Sequence, residues 1–251
     1  MRVIAVLNQK GGVGKTTSTI NIAAYLAKQH KKKVLVVDLD PQGNATSGLG
    51  HDKAQISSST YDVLLGKKTL KEATLATQWE DLALLPCNPQ LAGVEVELVG
   101  LEGRELKLKE ALKGAVYDFI LIDCPPSLGL LTINALTAAD EILIPVQTEY
   151  YALEGLSQLL SVVQKIREHL NPELKLLGVV LTMYDTRTSL SGQVRDEVKK
   201  HFNDKVFTTM IPRNVRLAEA PSHGLPVMNY DKWSKGARAY KALTKEVVDR
   251  G

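Results

Sequence analysis

The sequence predicts an α/β fold, a doubly wound and mostly parallel sheet of about seven or eight strands with helices on both faces. Strand-like apolar segments alternate with helical patterns along the chain. Segments such as 34–37 and 119–122 are apolar throughout, which is typical of parallel strands covered on both faces. A glycine-rich stretch follows the first strand, at the edge where ligands bind in such folds. We find no Pro/Gly/Ser-rich linker and therefore expect one domain over residues 1–251.

The individual elements follow from two periodicities. Apolar residues at helical spacing over 20–27 predict a helix after the glycine stretch. Val194, Val198 and Phe202 recur every fourth residue and predict another helix with one buried stripe. The predicted strands lie near residues 2–7, 34–37, 82–85, 119–122, 141–146, 176–182 and 206–211.

Composition restricts the environment in which the chain works. Hydrophobic residues make up 44% of the 251 residues, enough for a full core. Cys87 and Cys124 are the only cysteines, which favours a reducing compartment and excludes a disulfide framework. Met1 leads directly into a strand, and no apolar run approaches the roughly 18 residues of a membrane helix. We expect a cytoplasmic protein with no membrane segment.

The charge of the chain is unevenly distributed. Residues 1–184 have a net charge of −2, whereas residues 185–251 carry 13 Lys and Arg against 8 Asp and Glu, a net charge of +5. Such asymmetry favours an anionic partner for the region of about 185–251. A solvated basic helix face is the alternative explanation.

The glycine-rich stretch has the chemistry of a phosphate-binding loop. Gly11, Gly12 and Gly14 leave space for phosphate oxygens to approach the backbone amides, Val13 included. Lys15 stands where such loops place the lysine that contacts the β- and γ-phosphates, and the Thr16 hydroxyl suits Mg²⁺. Gln9 occupies the position of the usual first glycine, so the motif departs from the common pattern.

Three carboxylates follow two of the predicted strands. Asp123 ends the segment FILID and suits the magnesium side of the site, as the carboxylate of a Walker B strand does. Asp38 and Asp40 belong to VVDLDPQGN: we expect Asp38 to support the magnesium shell and Asp40 to position the attacking water. A capped turn is the alternative role for each aspartate, because turns favour this residue.

These motifs resemble a known family. KGGVGKTT, DLDPQGN, DCPPS and IPRNVRLAEAPSHG together are similar to the ParA family of chromosome and plasmid partitioning ATPases, in particular its Soj type. The resemblance runs from Met1 to about Val248. KGGVGKT alone also occurs in MinD cell-division ATPases and in relatives of the nitrogenase iron protein.

The resemblance implies further roles. Lys10 matches the extra lysine of the deviant Walker A motif, which contacts phosphates bound by the other subunit of an ATP-bound homodimer. A solvated loop lysine is the alternative. The ATP- and ADP-binding set extends to Thr17, and Pro212 and Asn214 are placed against the adenine. Gly12 is expected to face the partner subunit.

The resemblance also implies partners. Arg187 and Arg216 match basic residues of non-specific double-stranded DNA binding, and Arg195 and Lys199 could extend the same strip. A ParB-type centromere-binding protein and DNA would stimulate a slow ATP hydrolysis, and the protein would associate with the nucleoid.

A MinD-like membrane-associated ATPase is the alternative function. It requires a terminal amphipathic helix with large apolar residues opposite a basic face. The C-terminal YKALTKEVVDRG contains no bulky aromatic residue beyond Tyr240, which favours the partitioning function.

Overall fold

The computed structural model describes residues 1–149 and 154–250 and contains one mixed sheet. Seven strands form it in the order β3-β4-β2-β5-β1-β6-β7. All pairs are parallel except β3 with β4. The strands are β1 (Arg2–Val6), β2 (Val34–Asp38), β3 (Leu75–Ala76), β4 (Leu82–Leu85), β5 (Phe119–Asp123), β6 (Glu141–Gln147) and β7 (Lys175–Thr182).

Helices connect the strands and lie on both faces, which confirms the predicted fold class. The helices are α1 (Lys15–His30), α2 (Asn44–Gly48), α3 (Thr60–Leu64), α4 (Leu70–Ala73), α5 (Val94–Leu98), α6 (Lys107–Ala111), α7 (Leu130–Ala138), α8 (Glu154–His169), α9 (Ser189–Phe202), α10 (Val215–Glu219), α11 (Val227–Tyr230) and α12 (Lys235–Asp249).

Successive residues of the central strands point into two separate cores. Val3 and Ala5 belong to the cluster that includes α7, α8 and α9, whereas Ile4 and Val6 belong to the cluster that includes α1 and α12. This alternation is the two-residue period of a strand. It explains why β1, β2 and β5 are apolar on both faces.

The order of the strands places the functional motifs side by side. Strand β5 lies between β1 and β2, and Asp123 is paired in register with both Val6 and Asp38. The glycine-rich loop after β1 and the aspartates of β2 and β5 therefore lie together at the carboxyl edge of the sheet. This is the edge at which ligands bind in open α/β sheets.

The predicted strand at 206–211 is wrong. Only isolated bridges form, between Val179 and Val206 and between Tyr184 and Pro212. Phe207 N and Ile211 N donate to the carbonyls of Val179 and Leu181. The segment therefore uses four residues to cover the distance that β7 covers in two. The intervening residues bulge outward. The amides of Thr208 and Thr209 instead donate to the Glu246 carboxylate at 2.8 Å each.

Candidate nucleotide site and basic groove

The loop between β1 and α1 has the backbone of a phosphate cradle. Gly12 and Gly14 have φ angles of +74° and +90°, a backbone conformation that residues other than glycine rarely adopt. Gly14 caps α1, which begins at Lys15, so the helix N-terminus faces the loop. Amides arranged in this way attract anions.

Lys15 is held close to the loop that precedes it. Its ammonium donates to the carbonyl of Lys10 at 3.1 Å, and only 6% of the residue is exposed. Burial lowers the pKa of the Lys15 ammonium, while the negative charges of Asp123 and Asp40 oppose that shift. The lysine is therefore a desolvated cation facing acidic groups.

Thr16 and Asp123 are directly bonded. The Thr16 hydroxyl donates to Asp123 Oδ2 at 2.7 Å, and Thr19 Oγ1 lies 3.4 Å from the other oxygen. Asp123 is fully buried, and burial followed by the charge of Asp38 raises its pKa well above the usual range. The strand pairing brings these two carboxylates together in a low-dielectric environment, which raises the energy of their charged forms.

Asp38 is anchored from one side only. Its Oδ2 accepts hydrogen bonds from the backbone amide and hydroxyl of Thr46 at 2.7 and 2.6 Å. Burial raises the pKa of Asp38 to about 6 despite these bonds. The buried Oδ1 has no hydrogen-bond partner among the described residues.

Asp40 begins the loop that closes one side of the site. Its side chain accepts from the amide of Gln42 at 3.0 Å, and its carbonyl accepts from Gly43 at 2.8 Å. Lys53 then donates to the Gln42 carbonyl at 2.5 Å. The loop thus holds Asp40 at the rim while leaving its second carboxylate oxygen available to a ligand.

A cleft of about 780 Å³ lies over these residues. Asp40, Pro212 and Asn214 line it together with most of the glycine loop, whereas Asp38 and Asp123 lie buried beneath. Asn214 Oδ1 is buried without a hydrogen-bond partner among the described residues. The predicted nucleotide residues lining the cleft are Gly11, Gly12, Gly14, Lys15, Thr16, Thr17, Asp40, Pro212 and Asn214.

Lys10 does not line this cleft. Its ammonium lies 2.7 Å from Glu149 Oε2, just beyond β6, and both side chains are about half exposed. Gln147 also donates to the Glu149 carboxylate. Lys10 is therefore directed away from the cleft of its own chain and held by a solvent-accessible ion pair.

A second groove of about 1040 Å³ adjoins the cleft. Residues 212–215 line both, so one segment separates the two spaces. Of the four residues expected to bind DNA, Arg187 and Arg216 line the groove, whereas Arg195 and Lys199 of α9 do not. The basic residues lining the groove are Arg187, Arg213, Arg216 and Lys235.

Carboxylates partly neutralise this groove. Arg187 forms an ion pair with Asp185 at 2.7 Å, and Arg216 pairs with Glu219 at 2.8 Å and with Asp231 at 3.4 Å. The partnership with Arg187 holds the pKa of Asp185 well below its usual range. These pairs are exposed and can exchange partners at small cost.

Known proteins share both the sequence and this arrangement. A family described as an AAA domain matches residues 1–176. The sporulation initiation inhibitor protein Soj of Bacillus subtilis is 57% identical over 252 residues, covering 100% of this chain and 99% of that protein. The chromosome partitioning protein ParA of Myxococcus xanthus is 51% identical, covering 99% of this chain and 88% of that protein. The chain belongs to the ParA/Soj family of chromosome-partitioning ATPases.

A solved structure extends the similarity to three dimensions. Cobyrinic acid a,c-diamide synthase from Mycobacterium smegmatis, crystallised with an ATP analogue and magnesium, superposes with a TM-score of 0.86 at 42% identity. The match covers 98% of this chain and 93% of that one. Soj of Bacillus subtilis and ParA of Myxococcus xanthus are both more similar in sequence to this chain than the synthase is.

In this ParA/Soj chain, several site residues were missed by sequence reasoning. Glu149, the partner of Lys10, lies 139 residues away along the chain. Thr182 supports the glycine loop by donating to the carbonyl of Val13 at 2.8 Å. Arg213 and Lys235 line the basic groove, and the excess positive charge of region 185–251 was the only signal that could have indicated them.

The amphipathic C-terminal helix α12 of this family member packs against helix α1. Tyr240 and Leu243 of α12 are buried, and the Tyr240 hydroxyl lies 3.0 Å from Ser18 Oγ on α1. Tyr25 of α1 also donates to the carbonyl of Ala237 at 2.7 Å. Across the ranges 1–149 and 154–250, no helix has both the length and the hydropathy that crossing a bilayer requires.

Proposed function

We propose that the chain is an ATP-dependent switch ATPase, dimeric with ATP, that binds DNA without sequence preference and acts in chromosome or plasmid segregation. The observation that carries the proposal is the location of Lys15, Thr16 and Asp40 around one cleft at the carboxyl edge of the sheet, with Asp123 bonded to Thr16 beneath it. Its similarity to Soj and ParA supports the biological setting.

The glycine loop and Lys15 bind the phosphates of ATP. The loop amides donate to the phosphate oxygens, and the ammonium of Lys15 exchanges its bond to the Lys10 carbonyl for a phosphate oxygen. Because Lys15 is partly desolvated, its charge is weakly screened. Thr17 extends the loop surface. Asn214 Oδ1, which has no hydrogen-bond partner within residues 1–149 and 154–250, accepts from an amino group such as that of adenine beside Pro212.

The buried oxygens beneath the loop fit Mg²⁺. Thr16, Asp123 and Asp38 provide hard oxygen donors, and Asp38 Oδ1 is buried without a partner among the described residues. Across the described part of the chain, no group of three or more His, Cys, Asp or Glu side chains is suited to hold a metal without further ligands. This agrees with an ion held by few carboxylates together with substrate phosphates. When bound, Mg²⁺ neutralises negative charge that develops on the phosphates.

Asp40 orients the water that attacks the γ-phosphate. The carboxylate lies at the rim of the cleft, where the Gln42 amide holds one oxygen and the other is free to accept from water. Hydrolysis yields ADP and phosphate. Turnover is slow until a ParB-type partner or DNA stimulates it.

Dimerisation couples Lys10 to the nucleotide of the other subunit. Lys10 leaves the exposed Glu149 carboxylate and contacts phosphates in trans, as an arginine finger does. The two basic grooves of the dimer then bind one DNA together, so that ATP switches DNA binding on. Arg187 and Arg216 contact phosphates there, and Arg195 and Lys199 extend the strip along α9.

The MinD-like alternative requires an amphipathic helix free to enter a membrane. The apolar face of α12 is instead buried against α1, which favours DNA as the anionic partner. Sedimentation with anionic vesicles tests the alternative. ATP-dependent binding to vesicles, with none to DNA, would establish the MinD-like function.

Calorimetry with Lys15→Ala tests the nucleotide assignment. Loss of a charge-assisted bond should weaken ATP binding by about tenfold to a hundredfold. Lys28→Ala is the matched control, because Lys28 is exposed on the same helix α1 and away from the cleft. Equal ATP affinity in the two variants would contradict the assignment.

A further inference from the structure

Thr46 of α2 is fully buried and joins the ends of two neighbouring strands. Its backbone amide and its hydroxyl both donate to Asp38 Oδ2, at the end of β2, at 2.7 and 2.6 Å. Its hydroxyl oxygen accepts from the amide of Cys87, which follows β4, at 2.8 Å. A single threonine thus connects β2, β4 and α2 beneath the nucleotide cleft.

The direction of the hydrogen bonds at the Thr46 hydroxyl follows from the groups involved. A backbone N–H such as that of Cys87 can only donate, and a hydroxyl has one proton of its own to donate. The Thr46 oxygen therefore accepts from Cys87, and its single proton points at Asp38. The Cys87 amide holds the hydroxyl in the orientation in which it donates to the carboxylate.

The main chain of Asp38 is held by a second buried threonine. The hydroxyl of Thr60, which is fully buried, lies 2.9 Å from the Asp38 carbonyl oxygen and 3.1 Å from that of Pro86. Strand pairing with β5 fixes the same residue in register with Asp123. Because the carboxylate is planar, two donors on Oδ2 together with a fixed main chain also restrict the direction of Oδ1.

Asp38 Oδ1 is the oxygen that this arrangement leaves available. It is buried, and it has no hydrogen-bond partner within residues 1–149 and 154–250. The neighbouring Asp123 differs, because the hydroxyls of Thr16 and Thr19 lie 2.7 and 3.4 Å from its two oxygens. A buried oxygen without a donor is costly. A hard cation, or a water bound to one, removes that cost.

We propose that Thr46 is a positioning residue of the magnesium site, which holds Asp38 so that Oδ1 faces the ion or a water bound to it. This role rests on the proposed nucleotide function. Thr46 does not line the cleft, so it acts through Asp38 and not by touching the nucleotide. Partners that orient a metal ligand typically contribute about tenfold to a hundredfold in metal affinity. Thr46 therefore governs how strongly nucleotide binding depends on Mg²⁺.

Calorimetric titration of the full chain with ADP, once with excess Mg²⁺ and once with EDTA, measures this dependence as the ratio of the two affinities. Thr46→Val keeps the amide bond and nearly the same volume but removes the hydroxyl. It should lower the ratio by about tenfold and leave the affinity in EDTA nearly unchanged. Thr46→Ser retains the hydroxyl and should restore the wild-type ratio.

Thr137→Val is the matched control. Thr137 is equally buried, and its hydroxyl donates to the Ile133 carbonyl at 2.7 Å within α7, outside the cleft. This variant loses a buried hydroxyl of the same kind and should keep the wild-type ratio. Electron paramagnetic resonance with Mn²⁺ and ADP observes the ion itself. Thr46→Val should need about tenfold more Mn²⁺ than wild type or Thr137→Val for the same bound signal.

A wild-type ratio in folded Thr46→Val overturns the positioning role. An equal loss of affinity with Mg²⁺ and with EDTA overturns it as well, because Thr46 then supports the cleft as a whole and not the metal site. If circular dichroism shows that the valine variant is unfolded, Thr46→Cys takes its place, because a thiol is a weaker donor, and the same ratio decides. Wild-type protein that binds no ADP in either condition refutes the proposed function, and the positioning role falls with it.

Discussion

At the scale of single residues, Lys10 and the glycines of the loop after β1 are the positions at which dimerisation can be tested apart from ATP binding. Lys10 is held by Glu149 through an ion pair that is open to solvent on both sides. Exposed pairs of this kind contribute about 0–1 kcal/mol. Glu149 therefore positions Lys10 without preventing its transfer to a more strongly charged ligand.

Lys10→Ala should bind ATP as a monomer with nearly unchanged affinity but fail to form an ATP-dependent dimer. The reason is that Lys10 does not line the cleft of its own chain, whereas Lys15 does. Calorimetry and light scattering measure the two properties. Glu149→Gln is the control that removes the ion pair and retains the lysine, and it should still dimerise. Normal dimerisation of Lys10→Ala would exclude the role in trans.

The loop glycines differ in what they tolerate. Gly12 has a φ of +74°, so a valine there strains the loop whether or not the residue faces a partner. Gly11 has no positive φ, and nothing lies within 4 Å of a Cβ built on it. Gly11 is therefore the better position at which to test an interface.

Gly11→Val should lose ATP-dependent dimerisation, because its side chain projects from the loop surface. Calorimetry is run beside light scattering, because Gly11 also lines the nucleotide cleft. Light scattering with ATP measures the loss. Gly192→Val on α9 is the control, because a Cβ at Gly192, like one at Gly11, has nothing within 4 Å. Gly66 also has open space but a positive φ, so a valine there would strain the backbone. A normal dimer of Gly11→Val would place the interface elsewhere.

At the scale of elements, the segment after α9 shows how a side chain can replace a strand pairing. The apolar sequence near 206–211 resembles a strand, yet residues 208–210 leave β7 between two backbone hydrogen bonds. The carboxylate of Glu246 on α12 accepts both amides that the bulge would otherwise leave without partners. The Arg250 guanidinium also lies over the Phe207 ring at 3.9 Å.

Glu246→Ala should lower the free energy of unfolding by about 1–3 kcal/mol, since two backbone amides lose a charged acceptor. Urea denaturation followed by circular dichroism measures the change. Lys245→Ala on the same helix is the control, because that residue is exposed and its ammonium cannot accept a hydrogen bond from the bulge amides. Equal midpoints for the two variants would show that water satisfies the bulge equally well.

At the scale of the whole molecule, the nucleotide cleft and the basic groove share residues 212–215. One groove offers four basic side chains, two of which are paired with carboxylates. A two-fold dimer doubles the phosphate contacts, and this part of the binding carries no sequence information. ATP-dependent association can thus control DNA affinity without a base-reading element.

Arg216→Glu should abolish DNA binding while ATP-dependent dimerisation persists. Wild-type affinity should fall steeply with salt, and a variant that removes one bond to a phosphate should have a log–log slope shallower by about one. Arg238→Glu has the same change in charge on the exposed side of α12, outside the groove, and should bind DNA nearly normally. Sizing the protein with ADP, with ATP, and with ATP plus long DNA separates dimerisation from DNA binding. A wild-type salt slope for Arg216→Glu would show that the groove is a solvated surface.

The sequence by itself determined the fold class, the glycine loop and the two strand-end aspartates Asp38 and Asp123. These features depend on local patterns: apolar runs specify buried strands, and a loop of glycines before a helix specifies an anion cradle. Only the tertiary structure decided that Asp38 and Asp123 are register neighbours and that Lys10 meets Glu149. It also decided that residues 208–210 bulge toward Glu246 and that Arg213 and Lys235 line the groove, whereas Arg195 and Lys199 do not. The physical reason is that these relations depend on strand order and on contacts between residues distant in the chain, for which local periodicity contains no signal.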